Sequence, residues 1–228
     1  MTPHAPTPIF AQITATETKS AMPAAVAVRV STLGAGIEGS VLVAPQVALR
    51  VGYSGYSYSK TQTSQDVSYD AKLKLSSVSA LADVYPSPSG TFHVTAGLLF
   101  NSNKITASGR PMGVNGTQTY TLNGTTYSAS DVGTLDGQAS FSKTAPYLGI
   151  GFGKPAGGGA VQFLFDVGVV FQGKPHLSLA RNGGVSITNP ALSAQINAAV
   201  NAQRDKTQSD INKFQYYPVV SVGFAYRF

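Results

Sequence analysis

Apolar residues take every second position over most of this chain, and turn-forming residues cut the alternation into segments. In 161–172, Val161, Phe163, Phe165, Val167, Val169 and Phe171 are separated by residues that include Gln162, Asp166 and Gly168. In 92–101 the even positions are apolar and the odd ones include His93, Thr95, Gly97 and Asn101. Leu148, Ile150 and Phe152 alternate with glycines, and Leu49, Val51 and Tyr53 alternate with Arg50, Gly52 and Ser54. At the C-terminus Val220, Val222, Phe224, Tyr226 and Phe228 alternate with Val219, Ser221, Gly223, Ala225 and Arg227. Each pattern predicts a strand with one apolar face. The other face carries glycine and isolated charge, as the crowded polar interior of a narrow barrel would, with the apolar face turned to hydrocarbon.

Eight strands follow, near 22–31, 33–43, 47–58, 69–85, 91–105, 139–153, 160–174 and 215–228. Short Pro/Gly-rich turns at 44–46, 86–90 and 155–159 alternate with long polar stretches at 59–67, 106–140 and 174–213. The predicted fold is all-β: an eight-stranded antiparallel up-and-down transmembrane β-barrel with short periplasmic turns and long extracellular loops. The apolar phase flips twice. Between Val30 and Leu33 the flip is a tight turn near Thr32 or a bulge, and an even strand number favours the turn. Between Leu75 and Val78 it predicts a bulge. Inside the long stretches, Asn123-Gly124 between β-formers predicts a hairpin over 120–127. Asn189-Pro190 followed by Leu192, Ile196 and Val200 predicts a short amphipathic helix over the barrel mouth, with partner contact as its alternative role.

Composition agrees with a membrane barrel. Only 11% of the 228 residues are charged, with 24 Gly, 11 Tyr and 11 Phe. No apolar run reaches the roughly 20 residues of a membrane helix. Cysteine is absent, which removes disulfides and thiolate metal sites. The net charge of +6 is dispersed, unlike the basic patch of a nucleic-acid binder. Residues 1–21 are read as a leader or the remnant of a signal-peptide region, with Ile9-Phe10-Ala11 resembling the end of a cleavage site, and 22–228 as the barrel.

The terminal strand ending on Phe228 and the short-turn, long-loop rhythm resemble the small OmpA/OmpW-like barrels of the bacterial outer membrane, over about 24–228. The resemblance implies an integral outer-membrane location and an assembly signal at Phe224, Tyr226 and Phe228, read by the barrel-assembly machinery. It places the three short turns in the periplasm. The OmpW branch implies, by analogy alone, passage of small hydrophobic solutes.

Within that layout the lumen face carries Arg29, Glu38, Arg50, Asp83, His93, Asp166 and Arg227, so that three arginines meet three carboxylates. Unpaired charge in a narrow barrel is costly, which predicts a mutual network. It is either a polar plug or the lining of a permeation path, and eight strands leave so little room that the plug is favoured. Eleven of the sixteen Lys and Arg fall at the extracellular end. Of these, Lys74, Lys104, Lys143, Lys174 and Arg181 are candidates for contact with lipopolysaccharide phosphate. Tyr53, Tyr58, Tyr85, Phe92, Phe100, Phe152, Phe171 and Tyr216 are candidates for interfacial girdles. His176-Leu177-Ser178 has the H-x-S spacing of lipid A deacylases. That chemistry needs a carboxylate to orient the histidine, and Glu38 is predicted far away. No metal-ligand spacing occurs and no cofactor is implied. The sequence therefore reads as a non-enzymatic structural barrel or passive small-solute channel, with adhesion through the loops as the alternative and a lipid A-modifying hydrolase behind both. It does not fix an oligomeric state.

Overall fold

A computed structural model describes residues 22–64, 67–111, 118–184 and 188–228. The leader predicted for 1–21 lies outside the described residues. Alternating β-branched and aromatic residues form β1 (Ala24–Ser31), β2 (Gly34–Ala44), β3 (Val47–Ser64), β4 (Val67–Val84) and β5 (Phe92–Asn101). There follow β6 (Lys104–Pro111), β7 (Thr119–Leu122), β8 (Thr125–Ser128), a helical turn α1 (Ala129–Val132), β9 (Thr134–Ser140), β10 (Thr144–Phe152), β11 (Val161–Phe171), β12 (His176–Asn182), α2 (Pro190–Ile211) and β13 (Tyr216–Arg227).

Eight of these close an antiparallel barrel in the order β1-β2-β3-β4-β5-β10-β11-β13, with β13 returning to β1. The period-2 pattern sorts side chains as expected. Val28, Phe163 and Phe224 are 60%, 56% and 58% exposed on the outer face, whereas Arg50 and Asp83 are 2% and 0% exposed inside. An apolar outer surface of this extent belongs in hydrocarbon, since soluble monomers rarely show apolar patches above a few hundred Å². Its height fits as well. Ten residue steps from Tyr216 to Tyr226, at about 3.4 Å each and tilted about 40°, rise about 26 Å, close to the roughly 25 Å apolar band of outer-membrane barrels.

The first phase flip is a turn. Ser31 Oγ accepts from the Leu33 N–H and donates to the Gly34 carbonyl, both at 3.1 Å. Gly34 sits at φ +113°, and a Cβ there would lie 2.3 Å from the Gly55 carbonyl oxygen, so the turn needs glycine. The bulge predicted between Leu75 and Val78 is absent, because the β3–β4 register runs unbroken from Val47↔Val84 to Ser64↔Val67. Leu75 faces the lumen side near the barrel mouth, so the flip reports a change of environment rather than of backbone. The register does shift elsewhere, between Leu42 and Ala44 in the β2–β3 pairing.

The long stretches are not loops. β3 and β4 continue past the barrel, and β6, β9 and β12 join them as a five-stranded wall in the order β3-β4-β6-β9-β12. The wall prolongs the barrel strands, since β6 follows β5, β10 follows β9 and β12 follows β11 after short breaks. At the β5–β6 break Asn103 Oδ1 accepts from the Ser76 N–H at 3.0 Å, so a side chain replaces a missing backbone acceptor. Asp136 fastens the outer wall, accepting from Ser108 Oγ at 2.6 Å and Asn182 Nδ2 at 2.7 Å.

The predicted hairpin is β7–β8, with Asn123 and Gly124 at positive φ. The predicted helix is α2, capped by Asn189, whose side chain accepts from the Leu192 N–H at 3.2 Å. It runs 22 residues, longer than expected. Ile196 and Val200 pack with Tyr120, Leu122, Ala129 and Val132 against Leu135 and Leu179 on the lumen-side face of the wall. Arg181 clips the helix down by donating to Ser193 Oγ and to Asn197 Oδ1, the latter at 2.7 Å.

At the short-turn end of the barrel Lys154 is buried. Its ammonium donates to the Pro45 and Pro88 carbonyls and lies 4.8 Å from the Tyr85 ring centroid, so one side chain ties the three short turns together. Replacing it by methionine leaves two carbonyls without a donor. Lys154→Met is expected to cost about 1–3 kcal/mol, read as a lower urea midpoint for loss of heat-dependent gel mobility. Ser108 and Asn182 also hold the Asp136 carboxyl below the usual carboxylate range. A depressed folded value adds stability above the unfolded pKa of about 3.9, lost as pH falls through the lower folded value. Carbon-detected NMR should show Asp136 titrating below about pH 3.9, and Asn182→Ala should move it upward.

Candidate functional site

Alternation sends Arg29, Glu38, Arg50, Asp83, His93 and Asp166 from six different strands into one layer of the lumen. Arg50 is its centre. Its Nε lies 2.8 Å from Asp83 Oδ2, and its Nη2 donates to Asp83 Oδ1 at 2.9 Å and Asp166 Oδ1 at 3.0 Å. Its Nη1 reaches Glu38 Oε1 at 3.4 Å. Arg29 donates to Glu38 Oε1 at 3.0 Å and to Asp166 Oδ2. His93 Nε2 sits 3.1 Å from Asp166 Oδ1. Gly151 makes room for these groups, because a Cβ there would lie 2.5 Å from His93 Nε2.

Arg227 does not join the layer. It is exposed at the end of β13, where its cross-strand partner is Ala25, four residues along β1 from Arg29. The balance of three arginines against three carboxylates therefore fails. Two guanidiniums face three carboxylates, and the remaining donors are His93 and hydroxyls. Thr95 Oγ1 donates to Asp83 Oδ1 at 2.7 Å while accepting from Arg50, and Ser221 Oγ accepts from Arg29 at 3.4 Å. Thr95 and Ser221 were readable as polar inward positions, but they carry no charge to single them out.

Apolar layers lie on both sides. Toward the mouth, Leu33, Leu99, Ala145, Tyr147, Val170 and Val219 pack with Leu81 and Tyr217. Tyr147 lies across this layer over Gly149 and Gly168, where a Cβ would come within 2.5 Å and 2.4 Å of its hydroxyl. Toward the short turns, Ala25, Ala27, Ala156, Leu164 and Ala225 form a second layer near Lys154. Beside the charges and the upper layer is a partly open hollow of about 80 Å³, bordered by Arg29, Glu38, Ser77, Leu99 and Tyr147.

The other predicted positions separate. Phe224, Tyr226 and Phe228 are exposed on the outer face of the closing strand. Tyr53, Phe92, Phe100, Phe152, Phe171 and Tyr216 are exposed near the ends of the apolar belt. Tyr85 is buried beneath His93 with ring centroids 5.3 Å apart, and so is no girdle residue. Tyr58 pairs with Leu73 on the lumen-side face of the wall. Lys74, Lys104, Lys143 and Lys174 are exposed at the seam between belt and wall, whereas the Arg181 guanidinium is engaged by α2. His176 and Ser178 are both exposed on β12, and Glu38, the carboxylate a hydrolytic triad would need, is committed to Arg29 and Arg50 in the lumen. Among the described residues no group of three His, Asp or Glu is arranged to hold a metal.

Removing Arg50 leaves Asp83 without an arginine and Arg29 alone against three carboxylates in a low-dielectric interior. Arg50→Met is expected to cost about 3–5 kcal/mol, measured in phosphatidylcholine vesicles as the urea midpoint for loss of heat-dependent gel mobility. An unchanged midpoint would contradict the central role given to this side chain.

No family model and no curated protein sequence matches the chain. Among solved structures it is similar to Acinetobacter baumannii CarO2, with 22% identity and a TM-score of 0.57 over 91% of this chain and 99% of that one. It is also similar to Acinetobacter baumannii CarO, with 23% identity and a TM-score of 0.55 over 91% and 98%. At these identities the likeness is one of fold, and the fold of this chain is the closed eight-stranded barrel, all-β and antiparallel.

Proposed function

We propose that this chain is a non-enzymatic integral barrel of the bacterial outer membrane whose lumen is a plug, so that its role is structural rather than conductive. The observation that carries the reading is the stacking of an apolar layer, an ion-pair layer and an alanine-rich layer across the interior. The hollow of about 80 Å³ beside the charges is small, and a lumen of eight strands is barely wider than its own side chains, which supports a plug over an open path. Phe224, Tyr226 and Phe228, on the outer face of β13, remain available to the barrel-assembly machinery.

A second reading, binding of a small hydrophobic solute, is supported by Tyr56, Tyr58, Tyr69 and Ile105. These residues are exposed on the lumen-side face of the wall where α2 does not cover it. Such a solute would rest against the wall above the mouth rather than cross the plug.

Single-channel recording in a planar bilayer tests the leading reading, with protein first shown to be folded by its heat-dependent gel mobility. The expected record is silent. Steady discrete openings whose ion selectivity changes on Asp166→Asn would overturn it and make the charge layer the lining of a path.

A further inference from the structure

The outer face of the wall has a vertical order of chemistry that the lumen does not explain. On β4 that face reads Val78, Ser76, Lys74, Lys72 and Asp70 with increasing distance from the belt. The cross-strand rows follow the same order. Val78 lies beside Phe100 and Tyr53, in the apolar belt. Two steps higher, Lys74 lies directly opposite Lys104, in a row with Ser57, Ser140 and His176. The next row is Ser59, Lys72, Thr106, Gln138 and Ser178, and the one above it is Thr61, Asp70, Ser108, Asp136 and Ala180.

Two observations ask for a ligand here. Directly opposed like charges destabilise a strand pair, and among the described residues neither Lys74 nor Lys104 has a carboxylate within ion-pair distance. An anion between the two ammonium groups would remove that conflict. Above the lysines lies an open trough of about 520 Å³ whose lining includes Ser59, Lys72, Thr106, Gln138 and Ser178 together with the carboxylates of Asp70 and Asp136. Hydroxyls, an amide and carboxylates supply both donors and acceptors, which suits the hydroxyls of a sugar ring. Lys143 and Lys174 stand exposed in the adjacent strand breaks at the same seam.

We propose that the outer face of the wall docks the phosphorylated saccharide headgroup of the glycolipid beside the barrel. Phosphate lies between Lys74 and Lys104, and the core sugars lie in the trough bearing Thr106 and Gln138. The distances agree with a single bound molecule. Lys74 is four residues from Val78, about 13 Å along the strand, and Asp70 about 13 Å beyond it. Apolar, cationic and hydroxyl-rich rows thus follow the order of acyl chain, phosphate and sugar in lipopolysaccharide. The inference rests on reading the chain as an outer-membrane barrel.

Native mass spectrometry of the full chain in detergent micelles tests it, with four probes: rough-type lipopolysaccharide, its dephosphorylated form, its lipid A portion and phosphatidylglycerol. Rough-type lipopolysaccharide should be retained at least tenfold more tightly than phosphatidylglycerol, and dephosphorylation should abolish most of that preference. Lys74→Ala/Lys104→Ala should weaken rough-type lipopolysaccharide and lipid A alike, about tenfold. Thr106→Val/Gln138→Ala should weaken the rough-type form severalfold and leave lipid A unchanged. Equal retention of phosphatidylglycerol, or indifference of the rough-type form to either double variant, would overturn the proposal. Lys74 and Lys104 are exposed and Thr106 and Gln138 are half-buried on the outer face of the wall, and heat-dependent gel mobility verifies folding of each variant. A wild-type chain lacking that mobility in phosphatidylcholine would sink the outer-membrane reading itself, whereas a folded chain that holds no glycolipid sinks only this inference.

Discussion

The requirement that no backbone N–H or C=O face hydrocarbon unpaired governs this molecule. In a bilayer a sheet meets it only by closing on itself, and here β13 closes onto β1 through seven consecutive register pairs. Closure at eight strands then fixes the interior. The lumen is little wider than its own side chains, so an inward charge has nowhere to go but onto another inward charge. The Arg50 cluster is a consequence of the ring's size as much as of the residues in it.

That confinement also explains the layering. A carboxylate or guanidinium in a water-poor interior is tolerable when each polar atom finds a partner. Arg50 spreads its donors over Asp83, Asp166, Thr95 and Glu38. Leucines, a tyrosine and alanines above and below exclude water, which strengthens the pairs and ties them to the packing around them. Glycines at Gly149, Gly151 and Gly168 are the complement of this crowding, standing where a large neighbour's ring or carboxylate already occupies the space of a Cβ.

The barrel was legible because alternation and turn chemistry are local signals. All eight strands, the turn at Thr32 and the Asn123-Gly124 hairpin could be read directly. Six of the seven predicted lumen charges meet, and Arg227 misses because parity says which way a residue points but not how far along the barrel axis it lies, and its row is that of Ala25 rather than Arg29. The wall was missed for a related reason. β6, β9 and β12 carry Lys, Thr, Ser, Asp and Gln on their outer face, where a lipid-facing strand carries Val or Phe. Alternation reports burial contrast, and β9, half-buried at every position, shows none. Lys154 gave no local signal either, because its partners are carbonyls of turns 66 and 109 positions away.

The wall rises from β3, β4 and the strands after them, while the seam between β1 and β13 lies on the other side of the ring. The two differ in how far along the chain their partners lie. The β3–β4 pairing is a continuous hairpin of neighbouring strands, whereas the seam joins Ala25 to Arg227, 227 − 25 = 202 positions apart. Loop-closure entropy and topology make the distant pairing the slow one. On that physics the wall takes shape while the barrel is still an open sheet, and sealing of the far edge comes last.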